Sequence, residues 1–210
     1  MTRPCRSFLN PQSLTLIGIP PKFHKSDLKS FRSFGDSALL QVKKFVGEYL
    51  EYFRIGSPPH GLYICGSNGV GKTHLACVIA KEAYAYRWVV RRVTFVDYVS
   101  QYTRMWGAKN TEDRDSLEES FYTSFKGVEL LILEEVGKEI DSSIAAPILE
   151  DLLRYREDKG LITIICTNFS PAMFKSRYGE SCFSLLQGNM VPLTISTVDR
   201  REQVLKGELR

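Results

Sequence analysis

A chain of 210 residues is long enough for one three-layer α/β domain with a real core and short for two. With 43% hydrophobic and 25% charged residues it has the composition of an ordinary globular protein, and no apolar stretch approaches the roughly 20 residues of a membrane helix. The net charge of +4 permits contact with nucleic acid without requiring it, and five cysteines, an odd number with no CxxC pair, argue against a zinc site or a disulfide framework.

The chain opens on a basic stretch with no apolar run behind it, so no secretory signal is expected and the cysteines read as reduced thiols in a cytoplasm. Residues 1–22 are rich in proline and poor in periodic apolar positions, which predicts an irregular arm. Through residue 34 the charges are Arg3, Arg6, Lys22, Lys25, Lys29 and Arg32 against Asp27 alone. Such a run is either a solvated surface or an arm that binds a partner or DNA. From residue 36 to 54, Leu39, Val42, Phe45, Val46, Leu50 and Phe53 recur at helical spacing, and Gly56-Ser-Pro-Pro ends that helix.

Strands and helices then alternate. Apolar, β-branched runs predict strands at 62–65, 92–96, 129–133, 161–166 and 192–196. Helices are predicted at 71–87, 97–106, 112–125, 146–158 and 171–187, with Asp97 capping the second and Gly160 closing the fourth. This alternation implies a mostly parallel sheet covered on both faces.

Three motifs fall at the ends of predicted strands. Gly66-Ser67-Asn68-Gly69-Val70-Gly71-Lys72-Thr73 fits GxxxxGK[ST], after a strand and before a helix. Glycines let backbone N–H groups face phosphates, the helix start adds its positive dipole end, Lys72 reaches the β- and γ-phosphates, and the Thr73 hydroxyl suits Mg²⁺. This predicts ATP binding, with His74 next in line. Downstream, Leu130-Leu-Ile-Leu133 runs into Glu134-Glu135. At the carboxyl edge of the sheet, Glu134 can hold the Mg²⁺ shell and Glu135 can orient an attacking water. The strand at 161–166 ends in Thr167-Asn168, where Asn168 can bond the γ-phosphate or that water; the alternative is a turn-forming Asn.

In this order the motifs resemble one family. The run from Gly66 to Ala76, with Lys72-Thr73-His74-Leu75, resembles the GxxGxGKTHLA signature of DnaC/DnaI-type replicative-helicase loaders and of the related IstB-type transposition helper ATPases. Gly18-Ile-Pro-Pro-Lys-Phe23 resembles their GIP segment, Leu130 to Gly137 their Walker B, Thr167-Asn168 their sensor 1, and Arg177-Tyr-Gly-Glu180 their RFGE stretch; Arg200 or Arg201 falls near a terminal arginine. The likeness spans about residues 16–201.

The resemblance implies a three-layer P-loop AAA+ ATPase domain at 16–210 with a parallel five-stranded sheet in the order 5-1-4-3-2, behind a short basic arm at 1–15. It implies ATP and Mg²⁺ as cofactors, catalytic roles for Lys72, Glu135 and Asn168, and metal ligation by Thr73 and Glu134. It also implies self-assembly into a ring or spiral, a hexameric replicative helicase and single-stranded DNA as partners, and a cytoplasmic location in a bacterial or phage-infected cell. The chain departs from the family in three ways. Glu134 stands where the family has Asp. Leu185 stands where an arginine finger is expected, six residues after Gly179, so Arg177, Arg154 or Arg156 must substitute or hydrolysis is slow. The family's separate helicase-docking domain is not expected ahead of residue 16.

DNA contact is predicted at Arg104, Lys109 and Arg114, where related loaders carry an extra helix; Tyr102 and Trp106 either stack on bases or pack that helix on the core. Three readings follow: a helicase loader, an IstB-like transposition helper, or an ATP-gated assembly module with negligible turnover. A small-molecule kinase is disfavoured, because no arginine-rich lid follows the acidic pair.

Overall fold

The computed structural model describes residues 9–33, 36–56, 60–107 and 110–196. Lys109, Arg200, Arg201, Cys5 and the first basic residues therefore lie outside the described residues.

A short helix α1 (Pro11–Leu16) comes first, where an irregular arm was expected. Asn10 caps it by accepting from the Ser13 N–H at 2.9 Å, and Pro11 begins it, so a cap and a proline at N1 replace the apolar period a longer helix would show. The expected boundary between residues 15 and 16 falls inside this helix, and Leu14 is buried in the core. Helix α2 (Ser37–Ile55) follows, capped by Asp36 and ended by Gly56 at φ 80°.

The α/β alternation then runs β1 (Gly61–Gly66), α3 (Lys72–Ala85), β2 (Val90–Thr94), α4 (Phe95–Trp106), α5 (Thr111–Phe121), β3 (Leu130–Val136), α6 (Ser142–Asp158), β4 (Ile162–Thr167), α7 (Pro171–Asn189) and β5 (Met190–Ile195). A π-helical turn, Tyr122–Lys126, extends α5. All strand pairs are parallel, and their order is β2-β3-β4-β1-β5, the expected 5-1-4-3-2.

Strand alternation sorts the core into two layers. Leu62, Ile64, Leu130, Ile132, Ile162 and Ile164 meet α2 and α3 on one face. Tyr63, Cys65, Leu131, Leu133 and Ile165 meet α4, α6 and α7 on the other. Cys65, Cys77, Cys166 and Cys182 are free buried thiols within these layers, as small apolar residues would be.

Two boundaries differ from expectation for a local reason. β2 ends at Thr94, and it is Thr94, not Asp97, that caps α4: its hydroxyl oxygen accepts from the Asp97 N–H at 3.1 Å and donates to Asp97 Oδ2 at 2.6 Å. Asp97 is the acidic first-turn partner of that cap. Gly160 follows the end of α6 with φ 63°, as expected.

Arg156 is 1% exposed and serves the fold. Its guanidinium donates to the carbonyls of Lys126, Val128 and Ile162 at 2.9, 2.9 and 2.6 Å and to Thr163 Oγ1 at 2.8 Å. Burial pushes its pKa down to about 10. A side chain so enclosed cannot reach a neighbouring subunit, which removes Arg156 from the substitutes for the missing finger.

Candidate functional site

The carboxyl ends of β1, β3 and β4 open into a cavity of about 790 Å³ lined by Gly69, Lys72, Thr73, Glu134, Glu135 and Asn168 among others. This is the edge where ligands bind in open α/β sheets. Three sequence motifs far apart in the chain converge here.

The loop between β1 and α3 is shaped by its glycines: Gly69 and Gly71 have φ of 77° and 107°, in the left-handed region where a Cβ is strained. Gly71 is the N-cap of α3, so the unpaired N–H groups of the helix's first turn stand at the cavity. Lys72 Nζ donates to Gly66 O, Ser67 O and Asn168 Oδ1 at 2.8, 2.7 and 2.7 Å. Burial holds its ammonium below the ordinary lysine pKa. Asn168 also donates from Nδ2 to Asn68 Oδ1 at 2.9 Å, which ties the end of β4 to the loop rather than leaving it a free turn residue. Beneath it, Thr167 Oγ1 donates to Val136 O at 2.6 Å and accepts from the Phe169 N–H at 3.1 Å, pinning β4 to β3.

The acidic pair divides. Glu134 is 2% exposed, and its Oε2 accepts from Thr73 Oγ1 at 2.9 Å and from Arg92 Nη2 at 2.7 Å. Its Oε1 is buried with no protein partner. Glu135 is exposed and has φ 60° at the point where the register between β3 and β4 shifts, so the bulge turns its side chain away from the sheet. A non-glycine residue in that region costs of order 1 kcal/mol and is typical of functional sites. Lys138 Nζ sits 2.8 Å from Glu135 Oε1.

His74 follows the loop, lines the cavity and also holds the segment packed on α3. Its Nε2 lies 3.1 Å from Asp27 O and 3.3 Å from Ser30 Oγ, and the rings of Phe23 and Phe31 stand edge-on to it. It fastens residues 23–31 to α3, and Phe23 lines the cavity.

The candidate arginines are placed differently. Arg177 Nε donates to Glu139 Oε1 at 2.9 Å and Nη2 to Glu139 O at 2.6 Å, while Glu139 Oε2 accepts from Gly137 N–H at 2.9 Å and Tyr178 donates to Oε1. Arg177 thus braces the segment behind Glu135. Arg154 is exposed and donates to Glu150 Oε1 and, at 2.7 Å, to Ser181 Oγ of α7. Leu185 is buried in the α6–α7 layer, and Gly179, with φ 86° and ψ 172°, breaks α7 ahead of it.

Away from the cavity, Arg104 is exposed near the end of α4, and the Arg114 guanidinium stacks 4.0 Å from the ring centre of Trp106, itself 51% exposed. Tyr102 is half-buried, edge-on to Phe121, so it packs α4 on the core while Trp106 does not. Arg92, Lys138 and Glu139 were not anticipated. The one sequence signal for Arg92 was a basic pair, Arg91-Arg92, in a strand that should be buried and therefore needs partners.

Comparison with known proteins agrees with this geometry. The model of the family described as IstB-like ATP binding protein matches residues 59–185. The replicative helicase loader DnaI of Bacillus subtilis (strain 168) is 27% identical over 147 residues, which cover 70% of this chain but 45% of that protein. Thus the chain spans less than half the length of that curated relative. A crystal structure of DnaI superposes with a TM-score of 0.65 at 25% identity, covering 90% of this chain and 98% of that one. The crystal structure of the DnaC helicase loader superposes with a TM-score of 0.65 at 23% identity, over 84% of this chain and all of the other. The fold is that of the P-loop AAA+ ATPases, and on the family match the chain belongs to the IstB-like ATP-binding proteins.

Proposed function

We propose that this protein is an ATPase of the helicase-loader type, which assembles with a hexameric replicative helicase and helps place it on single-stranded DNA. The observation that carries the reading is the convergence of Lys72, Thr73, Glu134 and Asn168 on one cavity, in a chain similar to DnaI. Lys72 and the N-terminal end of α3 bind the phosphates. Asn168, already bonded to Lys72, contacts the γ-phosphate. Glu135, exposed beside them, orients and deprotonates the attacking water.

The donor set fits a magnesium ion. A hydroxyl and a carboxylate are the hard oxygen ligands it prefers, and Glu134 Oε1 is a buried oxygen lacking a protein donor. Thr73 and Glu134 would hold the ion, and its charge would neutralise the phosphate oxygens. The trans-acting cation is assigned to Arg154 in preference to Arg177. Each arginine has a glutamate partner, Glu150 for Arg154 and Glu139 for Arg177, but Arg154 is the more exposed and lies against α7 at Ser181, on the helix where Leu185 replaces the finger.

The direct test is capture. The tagged protein with a non-hydrolysable ATP analogue is expected to retain its host's hexameric helicase, and to release it with ADP. Retention of a transposase and not the helicase would establish instead the IstB-like helper, which the family match also supports. Assembly with ATP but no phosphate release with any partner would establish an ATP-gated module.

DNA contact is proposed on the α4–α5 surface at Arg104, Arg114 and Trp106, and at Lys109, which lies outside the described residues. Single-strand binding, read by fluorescence anisotropy, is expected to need the ATP analogue and to weaken about tenfold or more between 50 and 200 mM salt. The pair Trp106→Ala with Arg114→Ala is expected to weaken it about tenfold further, given ~1–3 kcal/mol for each stacked base. Binding indifferent to nucleotide and salt would count against this surface.

A further inference from the structure

The mechanism above gives Arg92 no task, yet its guanidinium meets the Glu134 carboxylate. Arg92 pairs with Ile132 across the β2–β3 ladder and Thr94 with Glu134, so Arg92 and Glu134 are diagonal neighbours on one face of the sheet. The pair is nearly dry: the side chains are 10% and 3% exposed.

The guanidinium is held from behind as well. Arg92 Nη1 donates to Gly18 O at 2.8 Å, and the Arg92 backbone N–H donates to Ile17 O at 2.8 Å. Gly18, at φ 91°, lies so close that a Cβ there would stand 1.9 Å from Arg92 O. Only glycine lets the segment approach in this way. Arg92 is therefore clamped between the backbone of residues 17–18 and Glu134.

We propose that Arg92 is a positioning residue: by engaging Glu134 Oε2 beside the Thr73 hydroxyl, it fixes the carboxylate that, with Thr73, would hold the divalent cation of the nucleotide. The inference rests on the Mg²⁺-ATP reading of the cavity. Glutamate carries its carboxyl about one C–C bond, ~1.5 Å, farther from the strand than aspartate would. A longer arm has more rotamers to lose, and the arginine one strand away selects among them. The Arg92 guanidinium and the Thr73 hydroxyl converge on one oxygen, Glu134 Oε2, at 2.7 and 2.9 Å.

The test uses the full chain and calorimetric titration with a non-hydrolysable ATP analogue, once with excess Mg²⁺ and once in EDTA. The readout is the ratio of the two affinities, which a general loss of structure would not move selectively. Wild-type protein is expected to bind at least about tenfold more tightly with Mg²⁺, a difference of about 1.4 kcal/mol. In Arg92→Met that ratio falls to about twofold, while the affinity in EDTA drops no more than about threefold. Should Arg92→Met fail to fold, Arg92→Lys decides: a lysine cannot bridge Gly18 O and Glu134 as a fork, so the ratio falls at least about threefold. An unchanged ratio in the folded variant, or equal losses with Mg²⁺ and in EDTA, overturns the positioning role alone. A wild-type ratio of one overturns the metal reading itself, and this inference with it.

Discussion

Lys72→Ala is expected to weaken ATP binding by about 100-fold or more while leaving the fold intact. Removing one member of a close, desolvated charge pair typically costs 2–5 kcal/mol, and 2.7 kcal/mol already corresponds to about 100-fold. Lys72 is the cation nearest the phosphate loop, and its three acceptors are two loop carbonyls and Asn168. Without nucleotide the same substitution is mild. It deletes three hydrogen bonds, but burial already disfavours the Lys72 charge, so the two changes offset each other. Calorimetric titration and thermal melting separate the two effects: the Kd rises steeply, and the apo melting temperature moves by only a few degrees, as about 1 kcal/mol would move it in a domain of this size. Wild-type affinity in the variant would remove the P-loop assignment.

What could be read in advance follows from burial. β1, β3 and β4 are central strands, buried on both faces, and their unbroken apolar runs announce them. β2 is an edge strand reading Val-Arg-Arg-Val-Thr, and its arginines look like surface residues until Glu134 and the carbonyls of residues 16 and 18 are brought alongside. The apolar pattern accordingly puts the strand two residues late and the cap of α4 at Asp97, where the structure has Thr94. α1 escaped because a helix of six residues has no period to detect.

The lining of the cavity was legible where a motif stands at or just after a strand end, as with Lys72, Thr73, Glu134 and Asn168. It was illegible wherever a role is set by a partner distant in sequence. Nothing local distinguishes Arg177, held by Glu139, from Arg154, which is exposed. Nor does the string Glu134-Glu135 disclose that one carboxylate is buried against Arg92 while the other is turned outward at a bulge.

That division makes the second large effect specific to one glutamate. Glu135→Gln is expected to slow ATP hydrolysis by about 10²- to 10⁴-fold, the range of a lost general base, with little change in binding or stability. Glutamine has the same shape and keeps the same strained φ of 60°, so the backbone cost is unaltered. The one contact weakened is the pair with Lys138, whose partners are 49% and 47% exposed; such a pair contributes about 0–1 kcal/mol. Glu134→Gln behaves otherwise. It leaves the Arg92 guanidinium buried without a carboxylate, a loss of about 3–5 kcal/mol for a buried pair, and its melting temperature falls accordingly. Phosphate release under saturating ATP, followed beside calorimetry and melting, therefore sorts the two residues. Glu135→Gln is stable, binds and does not turn over, and so accumulates in the ATP-bound, assembled form. Glu134→Gln is less stable and loses its dependence on Mg²⁺. Turnover at the wild-type rate in Glu135→Gln would move the base elsewhere. Unchanged stability in Glu134→Gln would show that the Arg92–Glu134 ion pair does not hold the fold.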